Sequence, residues 1–273
     1  MLKIITIDSS DYLKIRTDDA LFAYGMALFE TIAIERGQLF FWRRHWERLV
    51  HSAQFLGFGE ILSEEQTAVL SAIKSFYHGA SKQTSILKLC LFQSQGELNL
   101  IIYAREPFEC TSSKHLCLNE AYPINEKSVI SGFKTHNYFE NIHLLKDARK
   151  KGFYDYLRIN CRGELAETTI SNLFLKINDR YITPTLDSGA LPGVIRSVLL
   201  ESDLFLESVI SLEDLKQADA FYIMNSIQGI VAIDRVSNWH NEIVFDIGSY
   251  VDDSMPILAG HLRTLEQLEA ISL

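Results

Sequence analysis

Hydrophobic positions along the chain alternate between two periods, and the changes of period mark the elements. Residues 2–7 form a short apolar run with Ile4, Ile5 and Ile7, which predicts a strand, and Ser9-Ser10-Asp11 supplies turn chemistry after it. Residues 17–28 read as loop and residues 29–34 as a strand; Gly37 makes a hairpin turn and Leu39-Phe40-Phe41 returns. From 42 to 56 the period becomes helical, with Trp42, Trp46, Leu49, Val50 and Ala53 on one stripe, and Gly57 is placed to end the helix. A second helix is predicted over 64–77, closed by Gly79. Strands follow at 85–92 and 98–104, joined by a polar turn at Ser94-Gln95-Gly96.

Regular patterning is lost at 107–114 (PFECTSSK), and the chain is divided there into an N-terminal α/β domain over 1–110, an interdomain linker over 111–117 and a C-terminal α/β domain over 118–273. Residues 116–119 and 129–132 read as short extended pieces. A helix is predicted over 138–151, with Tyr138, Ile142, Leu145 and Ala148 at helical spacing and Gly152 as its stop. Strands at 154–159 and 164–169 flank a hairpin turn at 160–163, and strands at 172–177 and 181–184 flank Asn178-Asp179. Leu191-Pro192-Gly193 introduces a helix at 194–201. A helix at 212–217, strands at 220–224 and 230–233 and an outer amphipathic helix at 256–268 complete the chain. The fold class this predicts is α+β.

Composition narrows the function classes. With 47% apolar and 22% charged residues in 273, the chain has the balance of an ordinary globular protein and is long enough for two domains. A net charge of −9 offers no basic field to replace phosphate counterions, so nucleic acid is not an expected partner. The four cysteines form no CxxC pair and the eight histidines no HExxH pattern, so no metal site is expected, and reduced cysteines fit a cytoplasmic location. No apolar run approaches the roughly 20 residues that cross a bilayer, and the opening run reaches Asp8 too early for a signal peptide.

The stretch from 134 to 172 holds the candidate chemistry. Lys134 stands just ahead of a helix with aromatic residues; a lysine there can be a solvated surface group or, if desolvated, an amine able to form a Schiff base with an aldehyde. Glu167 lies mid-strand between Ala166 and Thr168, where a carboxylate either faces solvent or is held rigidly against a partner such as a pyridine nitrogen. Gly193 opens a helix whose first N–H groups suit an anion, as every helix start does. Arg48 could add a guanidinium fork to such an anion or could simply be a solvated helix arginine.

Together, YGMALFETI (24–32), HWERLVHSAQFLGF (45–58), KTHNYFEN (134–141), ELAETTISNLF (164–174), TPTLDSGALPGVIR (183–196) and NSIQGIVAI (225–233) resemble, in order and spacing, the fold-type IV family of pyridoxal-phosphate enzymes. That family includes branched-chain and D-amino-acid aminotransferases and aminodeoxychorismate lyase. The resemblance implies a two-domain, D-amino-acid aminotransferase-like fold with pyridoxal 5'-phosphate between the domains, the Schiff-base lysine on the C-terminal one, and a homodimer acting on a small molecule. It implies that Lys134 is the Schiff-base lysine, that Tyr138 hydrogen-bonds the phenolic oxygen of the cofactor, and that Glu167 is the partner of its ring nitrogen. Arg48, the backbone of Val194 and Ile195, and Ser226 with Ile227 are implied as the phosphate cup.

Within the family the local wording is most similar to aminodeoxychorismate lyase: Phe29-Glu30-Thr31, Lys134-Thr135-x-Asn137-Tyr138, Glu167-Thr168-Thr169-x-Ser171-Asn172 and Asn225-Ser226-x-x-Gly229-Ile230. Thr31 is then placed near the leaving group. Two departures bear on substrate: Phe92-Gln93-Ser94-Gln95-Gly96-Glu97 replaces a Gly/Arg-rich run, and Gly25-Met26-Ala27 replaces Gly-Asp-Gly. The resemblance implies conversion of 4-amino-4-deoxychorismate to p-aminobenzoate and pyruvate, toward folate, with a branched-chain or D-amino-acid transaminase as the alternative.

Overall fold

The computed structural model describes residues 2–7, 12–79, 86–106, 114–247 and 254–273. The turn expected at 9–11, the first residue of the strand expected at 85 and most of the 107–114 boundary lie outside the described residues. The chain divides into two compact units, one of residues 1–108, 133–138 and 266–273, the other of 109–132 and 139–265.

In the first unit the elements run β1 (Leu2–Ile7), α1 (Ala20–Tyr24), β2 (Ala27–Glu35), β3 (Gln38–Leu39), α2 (Trp42–Phe55), α3 (Ser63–Gly79), β4 (Ile86–Ser94) and β5 (Glu97–Ala104). They build one sheet in the order β1-β5-β4-β2-β3, extended by the strand at 271–272. The central pairs are antiparallel, with Thr31 opposite Lys88 and Lys88 opposite Tyr103; β1 lies parallel to β5. Strict alternation sorts the side chains. Leu28, Ile32 and Ile34 of β2 and Leu87, Leu89 and Leu91 of β4 meet Trp42, Trp46 and Leu49 of α2 in one buried cluster. Burying each of these large side chains contributes about 1.5–3 kcal/mol, which is why the helical period from 42 to 56 was so regular. The other face of the sheet carries Phe29, Thr31, Lys88 and Cys90.

Residues 133–138, expected in the C-terminal domain, join this first unit because their backbone pairs with β2. Phe29 N–H donates to the Lys134 carbonyl at 2.9 Å and His136 N–H to the Ala27 carbonyl at 2.8 Å, around a bridge between Leu28 and Thr135.

The second unit contains β6 (His115–Ile124), α4 (Phe139–Lys150), β7 (Asp155–Asn160), β8 (Leu165–Thr168), β9 (Asn172–Ile177), β10 (Arg180–Pro184), α5 (Val194–Leu199), β11 (Phe205–Ser208), α6 (Leu212–Lys216), β12 (Ala220–Asn225), β13 (Gly229–Ile233), β14 (Arg235–Ser237) and β15 (Ile243–Asp246). The chain closes with α7 (Ser254–Leu268) and β16 (Ile271–Ser272), the latter being the strand that pairs with β3. Two sheets result, β11-β10-β9-β12-β13 and β15-β14-β6-β7-β8. Leu116, Leu157, Leu165, Leu173, Phe221, Ile233 and Val236 from both sheets share one core. Residues 115–117 belong to β6, so that part of the expected linker is strand. Residues 129–132, expected to be extended, form turns, with Ser128 N–H on Asn125 O and Ser131 N–H on Ser128 O.

Candidate active site

The first unit gathers four of the predicted residues along β2 and its neighbours. Glu30 points to the α2 side of the sheet and is only 1% exposed. Its carboxylate takes a guanidinium fork from Arg48, Nε to Oε1 at 2.8 Å and Nη2 to Oε2 at 2.7 Å, and a bond from His45 Nδ1–H at 2.7 Å. Burial alone would raise its pKa, but the Arg48 charge and these hydrogen bonds outweigh it and hold Glu30 well below the usual carboxylate range. His45 is pushed the other way: burial lowers its pKa against the pull of Glu30, so the ring is neutral and donates from Nδ1. Arg48, read from sequence as a phosphate ligand, therefore also has a structural partner that fixes its orientation.

On the opposite face of β2 the ring of Phe29 is the centre of a second group. Lys134 Nζ lies 4.4 Å from the ring centroid and Lys88 Nζ 3.7 Å, while Tyr138 and His136 meet the ring edge-to-face at 5.2 and 5.5 Å. Lys134 Nζ is 5.1 Å from the Tyr138 ring centroid, so the two residues of KTHNY implied as cofactor ligands sit together. Lys88 Nζ donates to Thr31 Oγ1 at 2.8 Å. Burial, then the nearby Lys134 and Arg105 charges, push the Lys88 pKa down to about 6. A cavity of about 490 Å³ opens on this face, lined by Leu21, Cys90, Ile101, Tyr103 and His136 among others.

The second unit seats Glu167. The first turn after β8 is cross-braced: Thr168 N–H donates to Ser171 O at 2.8 Å, Ser171 N–H to Thr168 Oγ1 at 3.1 Å, and Thr169 Oγ1–H to Asp155 Oδ1 at 2.6 Å. Glu167 Oε2 accepts from Leu191 N–H at 3.0 Å and Asn172 Nδ2 at 3.2 Å, and Asn172 also donates to Leu191 O at 2.8 Å. Asn172 lies so close under Gly193 that a Cβ there would stand 1.9 Å from its Oδ1, so no larger residue fits without moving Asn172. Val194 and Ile195 follow as the buried start of α5. Ile227 N–H is taken by Asn225 Oδ1 at 2.9 Å, so of the pair Ser226 and Ile227 the second spends its amide on a turn. Asn225 itself donates to Ser171 Oγ at 2.9 Å and so ties this turn to the one that seats Glu167.

Lys88, Glu30, His45 and Asp155 were not singled out from sequence. Lys88 left a trace, a lone charge inside the apolar run ILKLCLF. Glu30 stood only inside the Phe29-Glu30-Thr31 wording with no role of its own, because only the packing of α2 on β2 shows which face it takes. No helix among the described residues is long and apolar enough to cross a membrane, and no group of three or more potential metal ligands occurs among them.

The family model for amino-transferase class IV matches residues 27–236, well over half of the chain. The chain belongs to this family. Its members work with pyridoxal phosphate, the cofactor implied above. A Thermotoga maritima protein named "Probable branched-chain-amino-acid aminotransferase" is 25% identical over 232 residues, covering 82% of this chain and 83% of that protein. The aminodeoxychorismate lyase of Vibrio harveyi is 24% identical over 254 residues, covering 84% and 90%. The crystal structure of 4-amino-4-deoxychorismate lyase from Pseudomonas aeruginosa superposes with a TM-score of 0.75 at 21% identity, covering 93% of this chain and 96% of that one. The fold is thus the fold-type IV arrangement of a class IV enzyme, as the motifs implied, and identities near 25% leave both lyases and aminotransferases among its relatives.

The residues present fit this cofactor. An aldehyde needs an amine, and Lys134 supplies one beside an aromatic ring. A protonated pyridine nitrogen needs a fixed carboxylate, and Glu167 is pinned by two donors to one of its oxygens.

Proposed function

We propose that the chain is a pyridoxal-phosphate-dependent 4-amino-4-deoxychorismate lyase, releasing p-aminobenzoate and pyruvate. The observation that carries this reading is the Thr31 hydroxyl, held at 2.8 Å by Lys88 on the face of β2 that also bears Phe29 and, over its ring, Lys134. Elimination needs a base for the proton on the amine-bearing carbon and a second polar group on the side of the departing enolpyruvyl unit. A hydroxyl beside the lysine provides that pair, where a plain transaminase needs only the lysine.

In this reading Lys134 would hold the cofactor, and Tyr138 would hydrogen-bond its phenolic oxygen. Glu167 would hold the proton at its ring nitrogen, and Arg48, Val194, Ile195, Ser226 and Ile227 would hold its phosphate. When bound, pyridoxal phosphate supplies the electron sink that lets a proton leave the amine-bearing carbon. Lys134 Nζ takes that proton and serves as its carrier. The leaving C–O bond breaks as the ring becomes aromatic, and the enol carbon gains a proton to become pyruvate; Thr31 Oγ1 is the hydroxyl assigned to that side. A homodimer in the cytoplasm belongs to the same reading.

The test is an assay with no keto acid present. Cofactor-loaded protein and 4-amino-4-deoxychorismate should give p-aminobenzoate and pyruvate in equal, catalytic amounts. The alternative, a branched-chain or D-amino-acid transaminase, draws on the Thermotoga relative; no product here, followed by amino transfer once 2-oxoglutarate and a panel of L- and D-amino acids are offered, would establish it instead.

Glu167→Gln provides a second check. The carboxamide retains most of the contacts to Asn172 and Leu191 but cannot hold the ring-nitrogen proton. Turnover should fall on the order of a hundredfold while cofactor content, read from visible absorbance, stays near that of the parent. Unchanged turnover would remove Glu167 from the site.

A further inference from the structure

We infer that Asn225 is a positioning residue: it fixes the 225–228 turn to the turn that seats Glu167, so that the two ends of the cofactor seat keep a single spacing. This rests on the reading above, in which Ser226 and Ile227 would hold the phosphate and Glu167 would face the ring nitrogen, and it adds what sets the distance between them.

The need for such a residue comes from the strands. β9 and β12 are paired antiparallel as far as Met224 opposite Asn172. One step further, at Asn225 and Ser171, both chains leave the ladder and turn. Each turn is braced within itself. Thr168 N–H and Oγ1–H both reach Ser171 O, at 2.8 and 3.3 Å, and Ser171 N–H returns to Thr168 Oγ1 at 3.1 Å. Ile227 N–H and Gln228 N–H both end on Asn225 Oδ1, each at 2.9 Å. Local bonds of this kind fix the shape of a turn, not its place against the other turn.

Placement comes from the other end of the Asn225 amide. Nδ2 donates to Ser171 Oγ at 2.9 Å and to Gln228 Oε1 at 3.2 Å. The orientation of the amide follows from its partners, since an atom that accepts from two backbone N–H groups must be the oxygen. Two acceptor sites and two donor hydrogens are then all engaged, the full capacity of an asparagine. Ser171 is only 4% exposed, so water competes little for the bond to its hydroxyl. That bond extends the β9–β12 ladder by one side-chain step beyond its last backbone pair. Two braced turns joined in this way are preorganised for a ligand that spans both, whereas a ligand at one end alone gains nothing from the joint.

That difference is the test, made on the full chain with probes that lack the aldehyde and so form no bond to a lysine. The probe 4'-deoxypyridoxine 5'-phosphate spans both ends; 4'-deoxypyridoxine and inorganic phosphate each take one. Dissociation constants are measured by calorimetry and by competition. Ser171→Ala keeps the backbone bonds to Thr168 and removes only the acceptor. In it the spanning probe should bind about tenfold more weakly, while both single-end probes keep their parent affinities. Asn225→Ala should weaken phosphate as well, because the 227 and 228 amides lose their acceptor, and adding Ser171→Ala to it should cost the spanning probe nothing further. Ser171→Cys fills the same space with a poorer acceptor and should repeat the Ser171→Ala result, which keeps the test open if alanine fails to fold. An unchanged spanning probe in both Ser171 variants, equal losses for all three probes, or additive losses in the double variant would overturn the proposal. A parent that binds 4'-deoxypyridoxine but no phosphate would instead remove the phosphate end from the reading above, and the coupling with it. No turnover is measured, so replacement of the lyase reaction by transamination would leave the result untouched.

Discussion

Lys134→Ala should abolish turnover while leaving the fold intact. The residue is half-buried and its backbone carbonyl accepts from β2, Phe29 N–H to Lys134 O at 2.9 Å. Alanine keeps that bond. What is lost is the amine that would hold the cofactor and carry the proton. Acid–base catalysis by one such group is worth roughly 10²–10⁴ in rate, and losing the covalent attachment adds to this, so activity should fall by at least about 10⁴-fold. The visible absorption of cofactor-loaded protein should disappear with it. Full activity in this variant would sink the assignment. Lys88→Met is the matched control, since it removes the second amine at the same ring and should leave cofactor attachment in place.

The second large effect is on stability. Glu30→Gln changes one atom in an ion cluster whose carboxylate and histidine are fully buried. The Arg48 fork and the His45 Nδ1–H both end on this carboxylate. The amide offers one acceptor oxygen, brings two donors into a place that already has three, and removes the negative charge that faces the Arg48 fork. Breaking a buried pair in this way costs about 3–5 kcal/mol, measured as a lower urea midpoint at pH 7. The pH dependence follows from the direction of the shift. Glu30 is depressed in the folded protein, so its contribution is fully present above the unfolded carboxylate value near 4.3 and is lost as pH falls toward the folded one. His45, also depressed, adds a loss that begins lower than its unfolded value near 6.5, because only the unfolded state binds that proton readily. The parent should therefore weaken progressively from about pH 6 downward, and Glu30→Gln should show a flatter acid limb. Equal midpoints for both proteins at pH 7 would show that the cluster contributes nothing.

Much of the fold was legible because single residues punctuate it. Gly57, at φ +75°, closes α2 where the helical stripe ends, and Asn178-Asp179, both left-handed at φ 48° and 62°, turn β9 back into β10. The elements that went unseen are those too short to show a period: α1 with five residues, and the strands β11, β14, β15 and β16 with two to four each. A parallel or edge strand of that length is made by its neighbour, not by its own composition. The site divided along the same line. Lys134, Tyr138 and Glu167 stood out through motif wording. Lys88 and Glu30 are defined by which face of a sheet they occupy and by what a distant segment brings to it, and one sequence does not carry that. The domain assignment of Lys134 failed to anticipate its backbone bonds to β2 for the same reason.

The measurement that bears most directly on the account is borohydride reduction of the cofactor-loaded protein followed by peptide mapping. The account predicts a single cofactor-derived mass on Lys134. The same mass on Lys88, or no adduct at all in a protein that binds pyridoxal phosphate, would contradict it.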